Sequence, residues 1–190
     1  MSQHSKKSPW RNIVNQLVRK ANAQDLDAIK AIYDRIHTVE EQGPVTTGWQ
    51  RAVYPTRATA MAALERGDIF VLEVDGEIAG SALINQIQVD VYKDAPWQYQ
   101  VADEEVMVLH TLVIDPLRKG QGLGKIFVRF YEDCARKNGC LYLRMDTNAL
   151  NLPARAFYKK QGYKEITILT CTFNNIAGVQ LVLLEKKLQG

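Results

Sequence analysis

The chain has 190 residues, of which 46% are hydrophobic and 24% charged, and its formal net charge is +3 at pH 7. This length and composition are those of a globular protein with one well-buried core. The slight basic excess comes without a basic stripe interleaved with aromatic residues, so we expect no nucleic-acid partner. No apolar run reaches the ~18 residues that span a bilayer, so we expect no membrane segment.

The three cysteines are an odd number, and no pair has the C-x-x-C spacing of a redox or zinc site. We therefore expect buried thiols in a reducing compartment and no bound metal. The basic N-terminus is not followed by an apolar run, so it does not resemble a secretory signal. Together these features predict a soluble, cytoplasmic protein.

The N-terminal half begins with a polar segment, residues 1–16, which we interpret as an extension of a single domain spanning 17–190. The expected elements are a strand at 17–21, a helix from the N-cap Asp25 to Gly43-Pro44, a helix from the N-cap Thr56 to Arg66, and strands at 69–74 and 78–84. The last two strands flank Asp75-Gly76, a pair that favours a type I′ hairpin turn.

The C-terminal half alternates between strands and helices. After an irregular segment at 85–103, the expected elements are a strand at 105–114, a helix at 125–138, a strand at 140–145, a helix at 153–161, and strands at 163–173 and 178–188. The near-continuous apolar run at 105–114 is typical of a buried central strand. A right-handed crossover makes it parallel to the strand at 140–145, and the flanking antiparallel hairpins make the fold α+β.

A glycine-rich turn between the central strand and the next helix carries the clearest functional signal. It reads Arg118-Lys119-Gly120-Gln121-Gly122-Leu123-Gly124-Lys125. Alternate glycines remove Cβ atoms, so successive amide groups can converge on an anion at the N-terminus of the helix, where the basic side chains add positive charge. A phosphate site and a glycine-rich connection with solvated basic side chains both fit this spacing.

Two common phosphate-binding motifs do not fit the turn. A Walker loop requires Gly-x-x-x-x-Gly-Lys-Ser/Thr, but Lys119 occupies the first glycine position and Ile126 follows Lys125. A dinucleotide fingerprint requires Gly-x-Gly-x-x-Gly, and its last glycine would fall on Lys125 or Phe127. A nucleotide-binding switch is therefore disfavoured.

The turn instead resembles the pyrophosphate loop of the GNAT family of N-acetyltransferases, in which Gln/Arg-x-x-Gly-x-Gly/Ala follows a strand ending apolar-x-Val-x-Pro. Here the strand ends Leu112-Val113-Ile114-Asp115-Pro116. Lys119 replaces the Gln or Arg, which keeps a charge but loses planar bidentate geometry. A second block, Asn151 to Tyr158 followed by Gly162-Tyr163, resembles the family's Asn-x-x-Ala-x-x-apolar-Tyr and Gly-aromatic. The resemblance covers 105–165 closely and 17–188 in outline.

The resemblance implies a GNAT-like, strongly twisted mixed sheet of about seven strands, with helices on both faces and a splay between the two central parallel strands. It also implies acetyl-CoA as co-substrate, with the acetyl carbonyl and the pantetheine arm held by main-chain amides of the central strand. The cofactor-binding residues implied are Leu112, Val113, Ile114, Lys119, Gly120, Gln121, Gly122, Leu123, Gly124, Lys125, Asn151 and Tyr158.

Tyr158 occupies the position from which the family's tyrosine reaches the thioester sulfur, and a phenol suits a general acid for a thiolate. A tyrosine that only fills the sheet–helix interface is the alternative, just as Asn151 could simply cap its helix. Some family members carry a glutamate base where this chain has Val108. Strand alternation would put Val108, His110 and Leu112 on one face, which makes His110 the candidate base, with a core histidine bonded to the backbone as the alternative.

The resulting hypothesis is an acetyl-CoA-dependent N-acetyltransferase that moves an acetyl group to a primary amine of a small molecule or protein within a ternary complex. The alternative is a catalytically silent acyl-CoA-binding sensor of the same fold. The acceptor would lie between 37–56, 85–103 and the last strands. In these regions Trp49, Tyr54, Trp97 and Tyr99 either line an aromatic pocket or belong to the core. The oligomeric state is open, with a homodimer as the candidate.

Overall fold

Residues 15–189, the part of the chain described by the computed structural model, form one mixed sheet of seven strands. The strands are β1 (Gln16–Lys20), β2 (Ile69–Val74), β3 (Glu77–Asn85), β4 (Val106–Ile114), β5 (Tyr142–Asn148), β6 (Lys164–Phe173) and β7 (Ile176–Lys187). Their order is β1-β2-β3-β4-β5-β7-β6, with β4 and β5 parallel and the other neighbours antiparallel. The predicted mixed sheet is confirmed.

Helices cover both faces of this sheet, as predicted. Within the described residues they are α1 (Leu26–Gln42), α2 (Arg57–Arg66), α3 (Leu123–Lys137) and α4 (Leu152–Lys160). α3 and α4 pack on one face through Phe127 and Tyr158, whereas α1 and α2 cover part of the other face. The segment 89–101 covers the rest of that face with the buried side chains of Tyr92 and Trp97. Across residues 15–189, no helix combines the length and apolarity that a membrane crossing requires.

The two hairpin turns have the same backbone geometry. Asp75 and Gly76 have φ angles of 52° and 85°, as the predicted type I′ turn requires. Asn174 and Asn175, between β6 and β7, have φ angles of 50° and 63°. Asparagine and aspartate tolerate this left-handed region better than most residues, so the sequence favours a tight turn at both places.

Both predicted helix starts are at the expected residues, but only one of the two side chains makes a capping hydrogen bond. Thr56 caps α2 as predicted, since its side chain accepts a hydrogen bond from an amide of the first turn. Asp25 occupies the predicted N-cap position of α1 but its side chain makes no capping hydrogen bond, and Asn22 caps a short 3-10 turn that precedes the helix. The Asp25 carboxylate is paired with Arg19 at 2.7 Å. β1 begins at Gln16, inside the segment interpreted as an extension, and residues 1–14 of that segment lie outside the described residues.

The central pair of parallel strands separates along its length. β4 pairs with β5 only where Val106–Leu109 lies beside Tyr142–Met145. β4 continues to Ile114 and β5 to Asn148, and β5 stays paired with β7 over its whole length. The carboxyl ends of β4 and β5 therefore diverge and leave an opening in the sheet, which confirms the predicted splay.

A bulge at Thr111 changes the direction of the side chains along β4. The φ angle of Thr111 is 49°, unusual for a β-branched residue, and the pairing of β4 with β3 shifts register at the same place. As a result Val108 packs under the 89–101 segment, whereas Leu112 packs on the α3 side. The prediction that Val108, His110 and Leu112 share one face is wrong, because an inserted residue reverses the alternation of a strand.

Candidate active site

The opening between β4 and β5 forms the floor of a cavity of about 510 Å³. The floor residues come from both strand ends and the start of α4: Leu109–Ile114, Asp146–Asn148, Asn151, Ala154 and Tyr158. Three further segments form the walls: 47–49 with Tyr54, 87–91, and the β6–β7 hairpin with Phe173. The carboxyl ends of parallel strands are a frequent place for ligands, so this cavity is the candidate active site.

The glycine-rich loop lies at the N-terminus of α3. Gly120 and Gly122 have φ angles of 84° and 75°, and a Cβ atom at either would meet no atom within 4 Å. Among residues 15–189, no acceptor takes a hydrogen bond from the consecutive amides of Gly120 to Gly124. Lys119 and Lys125 beside them are exposed. The loop thus offers free amides and positive charge to an anion at the start of a helix.

The outer part of β4 has an open edge toward β5. The amide of Asp115 donates to the carbonyl of Ala79 on β3 at 2.8 Å, and the carbonyl of Val113 also faces β3. Main-chain directions alternate along a strand, so the amides of Leu112 and Ile114 point away from β3, toward the side where pairing with β5 has ended. This is the orientation that their predicted role requires.

Helix α4 brings Tyr158 and Asn151 to the cavity. Tyr158 is 8% exposed. Burial, and then the negative charge of Asp146, raise the pKa of its phenol above the usual range. It therefore stays protonated at ordinary pH. The Oδ1 atom of Asn151 accepts a hydrogen bond of 3.2 Å from the amide of Ala154, so Asn151 caps α4 and also lines the cavity.

Strand β5 contributes a carboxylate that the sequence-based reasoning missed. Asp146 is the first residue of β5 beyond its pairing with β4, and it lines the cavity. Its Oδ2 atom accepts a hydrogen bond of 2.7 Å from the hydroxyl of Tyr92. Burial raises the pKa of the carboxyl group to about 6 despite the opposing effect of this bond. Asp146 is thus ionised at pH 7 but is a better proton acceptor than an exposed aspartate.

His110, the base predicted from the sequence, lies on the same cavity floor. Its Nε2 atom is 3.0 Å from Oδ1 of Asn85, which also accepts a hydrogen bond from the amide of Ile87. This network assigns the proton to Nε2 and leaves Nδ1 as the acceptor. Burial lowers the pKa of His110 to about 4, so the ring is neutral at pH 7 and is a weaker base than Asp146.

One wall of the cavity is held by a buried carboxylate on α1. Glu40, 9% exposed, accepts five hydrogen bonds: three from the amides of Thr46, Thr47 and Gly48, and two from the threonine hydroxyls. The side chain of Asn148 on β5 donates to the carbonyl of Thr47 at 3.1 Å. These bonds fix the 46–48 turn across the opening of the sheet.

The four aromatic residues left open by the sequence divide between the cavity and the core. Trp49 and Tyr54 line the cavity, with their ring centroids 5.7 Å apart in an edge-to-face arrangement. Trp97 is 6% exposed and belongs to the core under the 89–101 segment. Tyr99 packs against Tyr142. Of these four residues, only Trp49 and Tyr54 therefore contribute to the wall of the cavity.

The sequence contained a signal for Asp146 and none for Glu40. Asp146 follows the apolar run of a strand parallel to the central one, where side chains at the carboxyl end meet the ligand-binding edge. The strand was expected to end at 145, but pairing with β7 extends it to Asn148. Glu40 lies near the end of a helix, where an acidic residue is usually solvated, and only the folded turn shows its role.

The family model described as Acetyltransferase (GNAT) family matches residues 26–163. This segment contains α1, the central strands, the glycine-rich loop and α4, and so includes the whole cavity floor. The chain therefore belongs to the acetyltransferase (GNAT) family, which confirms the resemblance found in the sequence.

Individual relatives are distant. An uncharacterized N-acetyltransferase of Methanocaldococcus jannaschii is 23% identical over 154 residues, which cover 78% of this chain and 60% of that protein. A GNAT-family acetyltransferase from Streptococcus agalactiae matches with a TM-score of 0.75 and 19% identity, covering 92% of this chain and 96% of the other. The structure of yncA from Salmonella typhimurium with its cofactor acetyl-CoA matches with a TM-score of 0.67 and 18% identity, covering 93% of this chain and 95% of the other. These structures establish the fold, and the chain spans about three fifths of the curated relative.

Proposed function

We propose that this protein transfers an acetyl group from acetyl-CoA to a primary amine within a ternary complex. The observation that carries this proposal is the presence in one cavity of a carboxylate suited to accept a proton, Asp146, and a phenol that stays protonated, Tyr158. They are close enough for the charge of Asp146 to raise the pKa of Tyr158. Two groups whose environments hold one ionised and one protonated provide a base and an acid at the same pH.

The residues of this chain fit acetyl-CoA. The free amides of Gly120 to Gly124 and the exposed Lys119 and Lys125 suit a pyrophosphate group. The open edge of β4 suits an extended arm that carries amide groups, because main-chain donors and acceptors there have no strand partner. When bound, acetyl-CoA supplies an acetyl group activated as a thioester.

Each residue of the site then has one role. Asp146 accepts the proton of the amine at Oδ1 while Tyr92 holds Oδ2. The amides of Leu112 and Ile114 orient the acetyl carbonyl as fixed hydrogen-bond donors. The hydroxyl of Tyr158 gives its proton to the departing sulfur. His110 is the second candidate for the base, and its low pKa makes Asp146 the better one.

Two measurements test the proposal. Isothermal titration calorimetry is expected to show acetyl-CoA binding, and a thiol assay is expected to show CoA release only when an amine is present. Binding without release across a broad amine panel would instead support the silent acyl-CoA-binding sensor. Thermal protection by ATP or GTP, without protection by acetyl-CoA, would contradict both the acetyltransferase and the acyl-CoA-binding sensor.

A further inference from the structure

The part of the cavity that faces away from the glycine-rich loop lacks positive charge. Among the described residues that line the cavity, the acidic side chains are Asp90 and Asp146, and none is lysine or arginine. His110 adds no charge at neutral pH because burial lowers its pKa to about 4. Arg66, whose charge acts on His110, does not line the cavity and is paired with Asp68 at 2.8 Å.

Main-chain donors at two places in this region are already in use. A turn such as 46–48 can bind an anion through successive amides, but here the Glu40 carboxylate occupies them together with both threonine hydroxyls. At the start of α4, the amide of Ala154 already donates its hydrogen bond to the side chain of Asn151. An anionic group on the acceptor would therefore meet neither a cation nor one of these donors.

The remaining surface is aromatic and aliphatic. Trp49, Tyr54 and Phe173 contribute aromatic rings, and Ile87 and Val89 contribute branched aliphatic side chains. Such a surface favours a hydrocarbon body, and the aromatic faces also attract an ammonium group.

Building on the proposed acetyl transfer, we propose that the acceptor is a small primary amine with an apolar or aromatic body and without a carboxylate or phosphate near its amine. Its ammonium group faces Asp146. Free α-amino acids are excluded, because their carboxylate lies one carbon from the amine and would be placed beside Asp146 without a partner. An unpaired like charge in a desolvated site strongly disfavours binding.

Matched compounds test this selection directly. Phenethylamine, phenylalaninamide and phenylalanine share one aromatic body and a primary amine, and only the last carries a carboxylate. Pentylamine and norleucine form the corresponding aliphatic pair. We expect kcat/KM for the amines without a carboxylate (phenethylamine, phenylalaninamide and pentylamine) to exceed that of the matching amino acids by at least about tenfold. Calorimetric titration of the same compounds into the protein saturated with CoA is expected to rank them identically without any reaction.

A charge-reversal variant adds a second test. Asp90 is exposed and lines the cavity, whereas Asp94 is exposed on the same 3-10 turn but does not line it. We expect Asp90→Lys to reduce the preference for phenethylamine over phenylalanine by about threefold or more, and Asp94→Lys to leave it unchanged.

The outcomes separate this inference from the proposed function. If the wild-type protein binds and acetylates phenylalanine as well as phenethylamine, the charge selection is overturned and acetyl transfer stands. If no amine is acetylated but the calorimetric ranking holds, acetyl transfer fails and the selection of the ligand stands. If no compound of the panel binds to the CoA-saturated protein, the inference is overturned.

Discussion

The hydroxyl of Tyr92 donates a hydrogen bond of 2.7 Å to Oδ2 of Asp146 and fixes the carboxylate in the cavity floor. Tyr92 is 2% exposed and packs edge to face against Trp97, with ring centroids 5.1 Å apart. The irregular segment 89–101 is therefore the support that orients a residue on β5. The segment is held by packing rather than by strand pairing, since it contributes no strand to the sheet within the described residues.

Asp146→Asn is expected to lower kcat by about 100-fold or more, because an amide cannot accept the proton of the amine. The affinity for acetyl-CoA, measured by calorimetry, should change little. His110→Gln is the comparison variant and should have a much smaller effect on kcat. If His110→Gln abolishes turnover and Asp146→Asn does not, the histidine is the base.

The pH dependence of kcat/KM should follow the ionisation of Asp146. Its pKa is raised to about 6 by burial, so activity is expected to rise as the pH passes through about 6 and the carboxylate forms. The hydrogen bond from Tyr92 lowers this pKa, so Tyr92→Phe should move the rise to higher pH. An unchanged pH dependence of kcat/KM in Tyr92→Phe would show that the rise in activity near pH 6 is not set by Asp146.

Asp146 also predicts a link between stability and pH. Its pKa in the fold, about 6, lies above the ~3.9 of an exposed aspartate. The stability contributed by the protonated group is therefore fully present below the unfolded pKa and is lost as the pH rises through about 6. Asp146→Asn removes the buried charge, so the free energy of unfolding in urea should rise by on the order of 2 kcal/mol at pH 8, and by about half as much at pH 5. Equal changes at both pH values would contradict this.

Tyr158→Phe is expected to lower kcat by at least about tenfold while acetyl-CoA affinity stays near normal, because only the proton donor is removed. Tyr163→Phe is a matched control. Tyr163 is buried 6.1 Å from the ring of Tyr158, but its hydroxyl contacts Glu132 and not the cavity. Unchanged turnover in Tyr158→Phe, measured by thiol release, would remove the tyrosine from this role.

Glu40→Gln is expected to raise KM for the amine by about tenfold and to leave the affinity for acetyl-CoA unchanged. The new amide group cannot accept hydrogen bonds at both ends, so amides of the 46–48 turn lose their partner and the wall of the cavity shifts. Glu41→Gln is the control, since Glu41 is exposed and paired with Arg51. A loss of acetyl-CoA binding in Glu40→Gln would mean that the whole fold is disturbed.

Local patterns in the sequence predicted the elements that depend on neighbouring residues. Three of these elements depend only on residues close in sequence. They are the alternate glycines of 120–124, the turn at Asp75-Gly76 and the cap at Thr56. The Asn151–Tyr158 block located α4 and its place at the cavity. These features are readable because backbone conformation and first-turn hydrogen bonds are set locally.

Features that depend on distant partners were not predicted. The bulge at Thr111 reflects how β4 registers with β3, and it reversed the expected side-chain directions after His110. Asp146 became part of the floor because β7 extends β5 beyond the end of its apolar run. The pKa values of His110 and Asp146 follow from burial, which a single sequence does not specify.

The five hydrogen bonds that Glu40 accepts from the 46–48 turn have a consequence for redesign of the cavity. Glu40 anchors the 46–48 turn through main-chain amides and two threonine hydroxyls, so the side chain of Trp49 makes none of the hydrogen bonds that hold the turn. Ile87, on another wall of the cavity, is 55% exposed. Randomising Trp49 and Ile87 together, with Glu40 and the glycine-rich loop retained, would give a library of variants. These variants would differ in the amine that they accept and would keep the same residues for binding acetyl-CoA.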